Sequence, residues 1–207
     1  MAERRRPNGL SSQMERTRSA IVAAARDLAD TGAEITMPKV AAEARVSEAT
    51  AYRYFPDLLS LLRAAVITED LVAVLRSATR SDDPVERIAQ AAEILGRAVL
   101  RRQGAVRVVV ASTIAKPPTA KDRPAHRFGL IRHALAPWID SRGSAGQQAD
   151  VEQLVRGLAL VISAESLFAL IDLCDLTPDD AIASLVTTAR HMTAAAVAAA
   201  PARPAAG

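Results

Sequence analysis

Five times along this chain a side chain able to cap a helix stands just ahead of a segment whose apolar residues recur every three or four positions. Thr36 precedes Met37-Pro38, Ser47 precedes Glu48, Asp57 precedes Leu58, Asp83 precedes Pro84-Val85-Glu86, and Thr177 precedes Pro178-Asp179-Asp180. An oxygen at such a position accepts from the free N–H groups of a first helical turn, and proline in that turn sacrifices no hydrogen bond. The signals divide the chain into helices and leave no pair of segments suited to a sheet. Val106 to Ala115 is rich enough in valine for a strand, but with no second strand to pair with it is expected to be helical. Aromatic residues are only 3% of the chain and alanine about a fifth, which favours helix over strand. The expected fold class is all-α.

A length of 207 residues suffices for one large domain or two small ones. The single cysteine, Cys174, excludes an internal disulfide framework and any all-thiolate metal site, and fits a reducing compartment. The most apolar stretch, Leu154 to Leu173, is interrupted by Arg156, Glu165 and Asp172, so it falls short of a membrane span. Arg4, Arg5 and Arg6 are followed by polar residues, not by the apolar core of a secretory signal. A cytoplasmic protein with no membrane partner is expected. The net charge of +3 is unevenly spread: residues 1–18 hold five arginines against two glutamates, and residues 145–207 hold three arginines against seven acids. The basic end is the one suited to a polyanion.

Residues 1–13 lack apolar periodicity and read as a disordered basic arm. Ile21, Ala25 and Leu28 share one face of a helix running from Glu15 to a stop at Gly32. Short helices are expected over Met37 to Ala44 and Glu48 to Tyr54, then a long one from Leu58 to Thr79. Further helices are expected over 85–102, 104–115, 123–139, Gln147 to Leu173 and Ala181 to Ala199, with loops at 116–124 and 141–146. The domain reading is a helix-turn-helix unit over 14–57, a helical body over 58–200, and a disordered tail over 201–207.

The two short helices have the dimensions of a helix-turn-helix. A second helix of that size fits a DNA major groove while the first braces it. Ala41, Ala42, Ala44, Ala49 and Ala51 permit close packing, and Thr36, Lys39, Thr50, Tyr52 and Tyr54 carry the donors that phosphates need. The string Ile21-Val22-Ala23-Ala24-Ala25 … Gly32 … Thr36 … Val40-Ala41 … Ala44-Arg45-Val46-Ser47 … Thr50-Ala51-Tyr52-Arg53-Tyr54-Phe55-Pro56 resembles the N-terminal domain of the TetR (tetracycline-repressor-like) transcriptional regulators. The likeness covers about residues 15–62.

The resemblance implies a homodimer that binds a double-stranded DNA operator through a three-helix head and a small-molecule effector through a larger body. Residue by residue, it places Thr36, Ser47, Thr50, Tyr52 and Tyr54 at phosphate contacts or caps of a DNA-facing helix. Glu48, Ala49 and Arg53 fall where bases or groove walls are met, and Arg16 and Arg18 add phosphate contacts. Plain packing remains open for Tyr52 and Tyr54, and a solvated helix-dipole partner for Glu48. Two positions depart from the family pattern. Arg45 stands in the inter-helix turn where glycine is preferred, implying a cost on the order of 1 kcal/mol or a different turn. Leu58 and Leu59 replace a lysine–acid pair, which removes one phosphate contact. These departures leave a second reading open, a helical sensing or dimerisation module that has lost sequence-specific DNA binding.

In the body, the segments 147–173 and 178–199 are the expected dimer bundle, with Leu154, Leu158, Ile162, Leu185, Ala189 and Met192 at the interface. Phe128, Trp138 and Phe168 are the aromatics available to line an effector pocket, with Glu165 as a polar anchor or, alternatively, an exposed or cross-subunit-paired carboxylate. An apolar or amphipathic effector is expected. His126, His133 and His191 form no metal-ligand pattern, and no phosphate loop or nucleophile motif is present. Neither catalysis, a metal nor a cofactor is expected.

Overall fold

The computed structural model describes residues 9–32, 34–66, 70–115, 126–141 and 148–199. These residues form eleven α-helices and no strand: α1 (Gly9–Asp30), α2 (Met37–Glu43), α3 (Glu48–Tyr54), α4 (Leu58–Val66), α5 (Leu71–Ala78), α6 (Pro84–Arg101), α7 (Gln103–Ala115), α8 (His126–Asp140), α9 (Gln148–Val161), α10 (Ala164–Leu173) and α11 (Pro178–Ala199). The all-α expectation holds. The chain divides into two compact units, residues 1–68 with 101–117, and residues 69–100 with 118–207.

The first unit is built on the amphipathic face of α1. Ile21 and Ala25 pack against Val40 and Ala41 of α2, Ala51 of α3, Phe55, and Leu61 and Ala65 of α4. Ile21, Val40, Ala51 and Leu61 are fully buried. Each large aliphatic side chain among them contributes about 1.5–3 kcal/mol relative to exposure. Gly32 ends α1 with a left-handed φ of 70°, and its N–H donates to the Ala29 carbonyl. α7 adds a second small core, Ala105 against Ala29 and Leu62. Arg102 grips Asp30 at the end of α1 through both carboxylate oxygens, at 2.6 and 3.1 Å.

The second unit has its core between α5, α6, α8, α9 and α11, centred on Ile88, Leu130, Leu135, Leu158 and Ile162. α10 and α11 close a further cluster around Leu167, Ile182 and Leu185. Gly96 of α6 lets α11 come close: a Cβ there would lie 2.9 Å from Ile182. Pro137 lies inside α8 and cannot supply the N–H that the His133 carbonyl would otherwise accept. Arg87, only 8% exposed, makes up the loss. Its guanidinium donates to the carbonyls of His133 (3.0 Å), Ala134 (2.8 Å) and Ser81 (3.1 Å).

Three boundaries differ from the sequence expectation. α1 begins at Gly9, so the last five residues of the expected arm are helical. The long helix expected from Leu58 to Thr79 is two helices, because the Asp70 carboxylate accepts from the Val72 and Ala73 N–H groups and starts α5 afresh. The helix expected over Gln147 to Leu173 also breaks. Ser163 leaves helical geometry and caps α10, and the two segments meet at 44°. The first part of the arm, the expected loop at 116–124, all but Ser141 of the expected loop at 141–146, and the tail lie outside the described residues.

Candidate nucleic-acid interface

The helix-turn-helix forms because its ends are capped locally. Thr36 is extended and accepts from the Lys39 N–H, with Pro38 in the first turn of α2. Ser47 is likewise extended and accepts from the Thr50 N–H at 3.2 Å, and the two hydroxyls lie 2.8 Å apart. Both cap oxygens are thus engaged with the backbone and fix where the two helices begin. α2 closes in a Schellman turn, in which the Val46 N–H donates to the Ala41 carbonyl and the Arg45 N–H to the Ala42 carbonyl. Val46 folds back onto the α1–α4 core.

α3 is inward at Ala51 and outward at Glu48, Ala49, Tyr52 and Arg53, all exposed. Tyr52 is 47% exposed. Thr50 and Tyr54 are half-buried, and Tyr54 packs on the core while the Arg53 guanidinium lies 5.5 Å from its ring centre. Lys39 is exposed and paired with Glu34 at 3.1 Å, an exposed pair of the kind that adds little stability. Arg16 is exposed on α1. Arg18 lies over the Phe55 ring at 5.1 Å, so the buried phenylalanine that ends α3 is a platform for a cation from α1. Asp57 accepts from the Ser60 N–H at 2.6 Å and fixes the start of α4. The Arg18–Phe55 stack was not legible in the sequence, since the residues are far apart along the chain.

In the body, the six residues expected at a dimer face sit inside the subunit. Leu158, Ile162 and Ala189 are 0% exposed, Leu185 is 3% and Leu154 8%, and Met192 packs on the same core. Their surface is already spent, because the apolar circumference that pointed to a partner is covered by helices of the same chain. The expected pocket residues are dispersed. Phe168 is buried, Trp138 packs on the core and Phe128 is exposed. Phe128 and Trp138 are ten residues apart on α8, about 15 Å along its axis. Glu165 pairs with Arg127 of α8 at 2.7 Å, a partner the sequence reading did not identify. Partial burial would raise the Glu165 pKa, but its own backbone N–H and the Arg127 cation outweigh this and hold it below the ordinary value. Among the described residues no three His, Cys, Asp or Glu side chains gather as a metal site. No single helix there is long and apolar enough to cross a membrane, and one face of the bent α9–α10 pair is buried in the core of its unit.

Residues 20–65 match the sequence profile of the bacterial regulatory proteins of the tetR family. No curated protein matches the chain. Among solved structures, a TetR transcriptional regulator from Rhodococcus sp. RHA1 aligns with a TM-score of 0.56 at 21% identity, over 88% of this chain and 96% of that one. RolR in complex with resorcinol aligns with a TM-score of 0.52 at 22% identity, over 95% of this chain and 100% of that one. At such identities the structures establish shared architecture, while the profile match falls on the segment holding the α2–α3 pair. Residues 20–65 thus carry the sequence pattern of the tetR family of bacterial regulatory proteins, and over most of its length the chain shares the fold of solved TetR regulators.

Proposed function

We propose that this protein is a ligand-responsive transcriptional repressor of the cytoplasm, not an enzyme, that binds a near-palindromic operator as a homodimer. The observation that carries the reading is the capped α2–α3 pair, with Glu48, Ala49, Tyr52 and Arg53 turned outward together on one helix. In this reading α3 enters the major groove, with Glu48, Ala49 and Arg53 toward bases and Thr50, Tyr52 and Tyr54 toward the groove edge. Arg16, Arg18 and Lys39 meet phosphates, while Thr36 and Ser47 orient the helices that carry them. Two copies of α3 about 34–36 Å apart would read successive major grooves. The dimer would use the outward side of α10 and α11, where Leu173, Ala183, Thr187 and Ala194 are exposed. The effector is a small apolar or amphipathic molecule, in keeping with the resorcinol of RolR. Bound in the body, where Phe128, Trp138, Glu165 and Phe168 are the candidate contacts, it releases DNA by favouring a state in which the two heads are wrongly spaced.

Selection from a random duplex pool at near-physiological salt is expected to enrich an inverted repeat with half-sites one helical turn apart. A folded protein that enriches nothing would return the alternative, a sensing or dimerisation module without DNA binding. Arg18→Gln is expected to weaken binding to the selected site and to reduce the slope of log K against log salt by about 0.9 for each bound subunit. Fluorescence anisotropy across a salt series measures it, and an unchanged slope removes Arg18 from the interface.

A further inference from the structure

Arg45 occupies the C′ position of the Schellman turn that joins α2 to α3, with φ 55°. That conformation suits glycine, is tolerated by asparagine and aspartate, and strains the other residues that carry a Cβ. The turn cannot avoid it, since the left-handed residue is what brings the Arg45 and Val46 N–H groups back onto the Ala42 and Ala41 carbonyls. A smaller or more tolerant side chain would serve the turn better, yet the position carries the longest cationic one. Its side chain forms no hydrogen bond, ion pair or ring contact among the described residues, and it is exposed. The guanidinium therefore contributes nothing visible to holding the head together. It does stand three residues ahead of Glu48, at the N-terminal end of the helix that faces outward.

We infer that Arg45 is a nucleic-acid backbone contact, a planar cation held at the turn to grip a phosphate beside the entry point of α3. Backbone strain tolerated at a position without structural return is the signature of a residue kept for binding. The inference rests on the DNA-binding reading above and turns the feature that most argued against that reading into part of its interface.

Four variants separate charge from strain: Arg45→Gly removes both, Arg45→Ala removes charge and keeps strain, Arg45→Lys keeps both, and Arg45→Asn tolerates the left-handed turn without charge. Arg45→Gly and Arg45→Asn are expected to melt about 2–4 °C higher than the parent and to bind the selected duplex more weakly. A single phosphate contact is worth roughly fivefold at physiological salt, with the salt slope reduced by about 0.9 per bound subunit. Arg45→Ala should lose the same affinity without gaining stability, and Arg45→Lys should retain most of the affinity and the full slope. Arg45→Gly binding with parental affinity and slope would overturn the inference while leaving the DNA-binding reading intact. Failure of the parent protein to bind any duplex would overturn both.

Discussion

Replacing Arg87 with methionine is expected to destabilise the body unit by about 3 kcal/mol. Methionine keeps much of the aliphatic volume, so the loss comes from the three carbonyls left without the guanidinium. A buried polar group without a partner costs about 1–3 kcal/mol, and a hydrogen bond from a charged donor contributes about 1.5–3. Desolvation of the cation, relieved in the variant, keeps the total below the sum of the three. The His133 carbonyl is the sharpest case, because Pro137 leaves it no helical donor. Pro137→Ala restores an N–H four residues on, so it should recover about 1–2 kcal/mol in the Arg87→Met background and much less in the parent. Urea unfolding of the four proteins measures this coupling, and equal effects of Pro137→Ala in both backgrounds would dismiss it.

The same contact reports on pH. Burial, then the Arg87 and Arg76 cations, lower the His133 pKa from its ordinary 6.5, with Asp70 opposing them. The unfolded chain then takes up the proton more readily than the folded one, so stability rises with pH across the interval between the two values. The contribution is complete above about pH 6.5 and is lost as pH falls through the depressed folded value. Arg87→Met removes one of the two lowering charges. The His133 imidazole should then titrate at higher pH, which the pH dependence of its ring NMR signals would show.

What the sequence disclosed and what it withheld divide along the distance over which each contact acts. The α2 and α3 boundaries followed from Thr36, Pro38 and Ser47, because a cap is a contact between residues three apart. At Arg45 the family resemblance left two possibilities, a strained left-handed residue or a different turn, and the backbone takes the first. Asp70 and Ser163 are equally local caps, yet both lie within apolar runs whose periodicity continues across the break and outweighed them. Arg87 could not be read from its neighbourhood, since its partners on α8 lie 46 and 47 residues away. The Arg127–Glu165 and Arg18–Phe55 contacts are distant pairings of the same kind. Apolar pattern states how much of a helix is covered and is silent on whether the cover comes from the same chain or another.

That silence gives the second large effect its use. Leu158→Ala is expected to cost about 3 kcal/mol, within the 2–5 kcal/mol typical of a fully buried leucine, and to lower the melting temperature by about 6–12 °C. Leu158 is 0% exposed in the single subunit, so the loss is a cavity within one chain, and association should weaken only as the fold itself fails. Ala183, exposed on α11, is the complementary probe. An arginine there meets no core and leaves the packing of its own subunit intact, but sets like charges against each other if the outward sides of α11 from two copies meet. Ala183→Arg should therefore shift the sedimentation equilibrium toward monomer while the far-ultraviolet circular dichroism stays parental. If Leu158→Ala instead dissociates the protein with no loss of subunit stability, the apolar face of α9 belongs to the dimer after all and the single-chain packing around it is wrong. If neither variant changes association, the proposed dimer does not form through α9 or α11.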